Sequence, residues 1–165
     1  MYTNETPSLD GSDRPTTPPR SAEAAEMYDH VLIPTDGSGG AKRGIEYGLD
    51  LASRHNAAVH LLYVLDELVH ETPALSSSEL FLEKLEQSGQ AHLEEAAEMA
   101  ESNGLEVRKA CVRGRPSEAI IDYADDHDID IVVMGRHGNP DPTHYHIGSC
   151  TDRVMRTSRI PVLSV

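Results

Sequence analysis

The stretch IDIVVMGRHG at residues 129–138, followed after nine intervening residues by Gly148-Ser149, decides the fold. Residues 129–134 are apolar apart from Asp130, a run that suits a strand buried on both faces of a parallel sheet. The glycines behind it let backbone amides approach a polyanion closely, and Gly148-Ser149 then opens a helix whose free N–H groups attract phosphate. A Gly-x-x-Gly alone is a weak signal. Placed after a strand and before a helix start, it marks a candidate nucleotide site.

Strand and helix patterns alternate around this stretch. Residues 30–35 (HVLIPT) predict a first strand, stopped by the turn-forming pair Asp36-Gly37. Ser38 suits an N-cap for a helix through about residue 55, with Ile45, Gly48, Leu49 and Ala52 on one face. Residues 58–65 (AVHLLYVL) predict a second buried strand. Beyond a loop containing Pro73, Ser76 and Glu79 form a capping box for a long helix reaching about residue 102. Its apolar face carries Leu82, Leu85, Leu93, Ala96 and Ala100, and Gly89 weakens it by roughly 1 kcal/mol relative to alanine. Asn103-Gly104 ends that helix, and residues 106–112 predict a third strand. Pro116 fits the first turn of a helix to about residue 127 that buries Ile120, Ile121 and Ala124. A fourth strand over 130–134, a helix over about 149–158 and a fifth strand over 161–165 complete the pattern.

Such alternation implies right-handed βαβ crossovers, hence an α/β fold: a parallel sheet with helices on both faces. Ligands of such sheets sit beyond the C-terminal strand ends, where the winding reverses. Asp36 ends the first strand and Gly135 follows the fourth, so their loops meet at one crevice if those strands are neighbours.

The 165 residues suffice for one core-bearing domain. Residues 1–27 hold Pro7, Pro15, Pro18 and Pro19 with few large apolar side chains, and read as a disordered tail; the folded domain is expected over 28–165. Lys+Arg of 14 against Asp+Glu of 28 gives a formal net charge of −14, a surface that repels nucleic acid and anionic membrane. Screening in high salt removes the self-repulsion, so this composition reads as an adaptation to a salty interior. No apolar run long enough to cross a membrane and no signal-peptide core is evident, so a cytoplasmic protein is expected. The two cysteines form no disulfide framework or metal spacing. Cys111 reads as an inert buried thiol. Cys150 falls in the first turn of a helix, where a thiol pKa can drop, although a redox role is the lesser reading.

At this point the chain resembles the universal stress protein family. HVLIPTDGS at the first strand, LLYVLDE at the end of the second, and MGRHG followed by GSCTDRVMRTSRIPVLSV are similar to that family's blocks in order and spacing. Gly135, Gly138, Gly148 and Ser149 satisfy its ATP-binding signature of Gly, two residues, Gly, nine residues, then Gly with Ser or Thr. The resemblance implies a Rossmann-like, adenine nucleotide alpha hydrolase-like sheet of five strands in order 3-2-1-4-5. It also implies a homodimer, here through strand 160–165. ATP is bound by some members and not by others. Carried over, Asp36 would hydrogen-bond the adenosine with Pro34 beside it, Val64 would line the adenine pocket, and Met134 and Gly135 would contact adenine or ribose. Gly138, Gly148, Ser149, Cys150 and Thr151 would cradle the phosphates.

Blander roles stand beside these. Asp36 can shape the turn, Val64 and Met134 can be core, and Ser149 can be a simple N-cap with Asp152 closing its box. The loop over 139–147 departs from the family's usual pattern. Asn139 and Asp141 stand where a cation would help, and Pro140 and Pro142 stiffen the chain. Asp141 near a triphosphate calls for a divalent ion, Mg²⁺ or Mn²⁺, between them; Arg136 is the cation in the loop, with Arg153 within reach. His137, His144 and His146 are a weak metal signal and read as a solvated or dimer-facing loop, so no metal ligand is assigned. The string from His144 to Gly148 stands after the fourth strand and not the first, which excludes an adenylyltransferase motif. Neither a paired nucleophile and base nor a Walker lysine is present, so efficient catalysis is not expected. Three readings follow. One is an ATP-binding dimeric stress-response protein; another is a nucleotide-free dimeric scaffold that docks a protein partner through the 139–147 loop; the third is a weak ATPase.

Overall fold

A computed structural model describes residues 27–66, 78–137 and 147–165, with side chains in the first long helix after the second strand described from Leu82 onward. The elements run β1 (His30–Thr35), α1 (Gly39–His55), β2 (Ala58–Leu65), α2 (Ser78–Ser102), β3 (Val107–Arg113), α3 (Pro116–Asp126), β4 (Ile131–Met134), α4 (Ser149–Thr157) and β5 (Val162–Ser164). Ser76, Gly138, the 139–146 segment and the tail up to residue 26 lie outside the described residues.

All strand pairs are parallel and the order is β3-β2-β1-β4-β5, as expected. The chain starts at the centre, winds out to β3, then returns past β1 to lay down β4 and β5. The reversal therefore falls between β1 and β4. That is where the C-terminal strand ends part and open a crevice.

Period-two alternation splits the apolar side chains between two cores. Val31, Ile33, Val59, Leu61, Ile131 and Val133 face α1 and α2, meeting Ile45, Leu49, Leu93, Ala96 and Ala100. Leu32, Leu62, Val132 and Met134 face α3 and α4, meeting Ile120, Ala124 and Val154. Burial on both faces is why the strands read as unbroken apolar runs. Ile121 and Cys111, expected inside, are only half-buried.

Local chemistry sets the helix ends. Ser38 caps α1, its Oγ accepting the Ala41 N–H at 3.1 Å. Asn56 closes the helix in the left-handed region at φ 55°, with its N–H on the Ala52 carbonyl. Gly89, a weak point by propensity, is buried in α2. A Cβ there would lie 2.6 Å from the Tyr63 ring, so the glycine lets α2 settle on β2.

Candidate functional site

The crevice is a cleft of about 390 Å³ at the C-terminal ends of β1, β2 and β4. Pro34, Thr35, Asp36 and Ser38 come from β1 and its turn, and Leu62 and Val64 from β2. Met134, Gly135 and His137 follow β4, Pro116 and Ile120 belong to α3, and Gly148 to Thr151 begin α4. Nine of the ten site residues expected from sequence thus surround one cavity; Gly138 lies outside the described residues. Leu62, Pro116, Ile120 and His137 were not anticipated. The two α3 residues answer to a helix period, which signals core as readily as it signals a wall.

Each polar group is placed by its own turn. Asp36 Oδ1 accepts the Ser38 N–H at 2.9 Å, and the exposed carboxylate stands at the cleft mouth. Thr35 Oγ1 accepts the Gly37 N–H at 3.2 Å, and Gly37 adopts φ +76°, a left-handed bend that glycine tolerates. On the opposite wall the Arg136 peptide is held from both sides. Its N–H donates to Val165 O at 2.7 Å, and its C=O accepts the Gly148 N–H at 2.8 Å. Thr151, buried, donates its hydroxyl to Gly135 O at 2.9 Å. These bonds close the base of the glycine loop and fix the start of α4.

Two corrections follow at α4. The helix begins at Ser149 as expected, but its N-cap is Gly148 rather than Ser149, with the Gly148 N–H drawn to the Arg136 carbonyl. Asp152 closes no capping box and pairs instead with Arg156 at 2.9 Å. Gly148 offers no side-chain acceptor, so no cap side chain competes for the first amides of α4. Cys150 is also not activated. Burial pushes its thiol up to about 11, helped by the Asp36 and Asp66 carboxylates, so desolvation outweighs the helix terminus and the thiolate a redox role needs is absent at neutral pH.

Three helix N-termini converge on the cleft: those of α1 at Ser38, α3 at Pro116 and α4 at Gly148. Their dipoles make it receptive to an anion, while Leu62, Val64, Ile120 and Met134 offer an apolar slot alongside. Arg153 reaches Glu118 at 3.8 Å. Among the described residues, no group of three or more His, Cys, Asp or Glu is placed to hold a metal ion.

Comparison with known proteins agrees with this architecture. The model of the universal stress protein family matches residues 27–165. Universal stress protein MJ0531 of Methanocaldococcus jannaschii is 31% identical over 140 residues, covering 84% of this chain and 82% of that protein. The solved structure of MJ0577, from the same organism, superposes with a TM-score of 0.73 at 31% identity over 84% of this chain and 96% of that one. A universal stress protein solved in complex with cAMP superposes with a TM-score of 0.64 at 25% identity, over 84% and 97%. Matched along its whole α/β domain by the family model, the chain belongs to the universal stress protein family.

Proposed function

We propose that this protein binds an adenine nucleotide, ATP, in the cleft and acts as a regulatory stress-response protein of the cytoplasm, without efficient turnover. One observation carries the reading: an apolar slot ends at the N-terminus of α4, whose cap residue has no side chain to offer its amides. Adenine suits the slot beside Val64 and Met134. Asp36 is a good acceptor for ribose hydroxyls, and the α4 amides with Ser149 receive phosphate oxygens. A cAMP complex within the family supports an adenine ligand. Asp36 and Asp66 make the strand-end side of the cleft negative, so Mg²⁺ or Mn²⁺ arriving with the phosphates favours binding.

Occupancy has a physical route to a partner surface. Phosphate at Gly148 pulls on Arg136, and Arg136 is hydrogen-bonded to Val165 at the end of β5. That edge strand is the proposed homodimer contact. A second reading, the nucleotide-free scaffold, draws on Asn139 and Asp141 in the loop and on Arg153 being turned to Glu118.

Calorimetric titration of ATP in molar KCl, with and without Mg²⁺ or Mn²⁺, tests the choice. Saturable binding weakened about tenfold or more in Asp36→Ala supports the nucleotide reading, a loss of ~1.4 kcal/mol. No heat up to millimolar ATP, with the protein folded, leaves the scaffold.

A further inference from the structure

Among the described residues His60 is the largest buried polar side chain, with no exposed surface, and no role in the cleft accounts for it. It lies on β2 beneath α3, at the end of the sheet opposite the cleft. Its Nδ1 is 3.1 Å from Tyr123 Oη on α3, and its Nε2 is 3.2 Å from His30 Nδ1 on β1. His127, the C-cap of α3, stacks on the Tyr123 ring at 3.8 Å between centroids. Arg108 is the register partner of His60 on β3 and is itself paired with Glu106 at 3.3 Å. Asp130 holds the His30 backbone N–H at 2.8 Å.

We propose that the His30–His60–Tyr123 chain is an acid-sensitive latch that fastens α3 to the sheet at neutral pH and releases it under mild acid. The groups around His60 are poorly matched to a second positive charge. Burial disfavours the imidazolium most, the His30 ring, Arg108 and His127 disfavour it further, and Glu106 offsets only part. Together they hold His60 down at about 4 from its ordinary 6.5. Strands β1 and β3 are tied to β2 along their lengths, whereas α3 is a short helix resting on side chains. Lifting α3 is therefore the local way to give His60 water and a proton.

The direction follows from proton counting. Between about pH 6.5 and 4 the open state binds a proton that the closed state does not, so opening is favoured as the pH falls. From pH 7.5 to 4.5 the opening equilibrium should rise about 70-fold. Because Pro116 and Ile120 at the other end of α3 line the cleft, release also removes one cleft wall. Only that consequence rests on the nucleotide reading; the latch itself does not.

Hydrogen exchange on the full chain at constant KCl tests the latch without any nucleotide. Protection factors of α3, corrected for intrinsic rates, should fall about 70-fold between pH 7.5 and 4.5 while those of α1 change little. In His60→Leu the extra loss in α3 should vanish. In Tyr123→Phe, which keeps the buried imidazole, it should persist. Equal loss from α1 and α3, or an unchanged α3 response in His60→Leu, overturns the proposal. Wild-type protein gives an independent check through the His60 ring resonance: titration near 4 accompanied by α3 opening supports it, and titration near 6.5 with α3 closed overturns it.

Discussion

Gly40 and Gly135 decide how closely α1 approaches the glycine loop. A Cβ on Gly40 would lie 1.6 Å from the His137 carbonyl oxygen, and one on Gly135 would lie 2.2 Å from the Gly40 carbonyl oxygen. Both obstacles are backbone, which cannot swing aside. Gly40→Ala should therefore lower stability by more than about 2 kcal/mol and distort the cleft wall, read as a drop in melting temperature. Gly39→Ala is the matched control. Nothing lies within 4 Å of its Cβ, and reduced freedom of the unfolded chain should leave stability equal or raised by up to ~1 kcal/mol. Gly135 is visible from its motif alone, because its neighbours in sequence announce the loop. Gly40 is not, since the atom it avoids is about a hundred residues away. The same limit hides His60, a polar letter in an apolar strand, and the environment of Cys150, whose thiol answers to burial and two remote carboxylates more than to its helix turn.

Element order and type could be read directly from the chain, because both cores need the apolar periods that the strands and helices carry. Boundaries follow wherever a local cap sets them. Ser38 and Pro116 are such cases, and the α1 C-terminus is another. Asn56 sits there at φ 55°, so Asn56→Gly should change stability by less than about 0.5 kcal/mol, while Asn56→Val should cost about 1–2 kcal/mol in chemical denaturation. The start of α4 at Ser149 is legible too, but its cap is not, because Gly148 is held as the cap residue by a hydrogen bond to Arg136 across the loop. Thr151 braces the same junction through Gly135. Thr151→Val keeps the shape but leaves that carbonyl short of a donor, so a loss of about 1–2 kcal/mol is expected. If the junction positions phosphate, ATP affinity should fall with it; unchanged affinity would separate the brace from the binding site.

The two sheet edges differ in a way that bears on assembly. On β3, Arg108, Lys109 and Arg113 pair with Glu106, Glu94 and Glu86, a charged border that discourages strand addition. On the β5 side Leu163 is 38% exposed and Met155 of α4 is 45% exposed, with no charged side chain on the strand itself. The proposed two-fold pairing along β5 would cover this apolar margin. Leu163→Lys should then yield monomers by sedimentation at micromolar concentration, and a persistent dimer would move the contact elsewhere. The charge balance governs what such a pair tolerates. Two copies of a chain with formal charge −14 repel each other, and ion pairs between exposed side chains return little. Screening shortens from about 10 Å at 0.1 M salt to about 3 Å at 1 M, so both folding and pairing should strengthen over that range. The melting temperature should climb by several degrees between 0.1 and 2 M KCl, and the dimer dissociation constant should fall at least severalfold. Leu163→Lys separates the two effects, because a monomer that still gains thermal stability with salt reports self-repulsion within one chain. A melting temperature that ignores KCl would mean that the acidic residues are spaced widely enough for water alone to screen them, and the high-salt reading of the composition would fail.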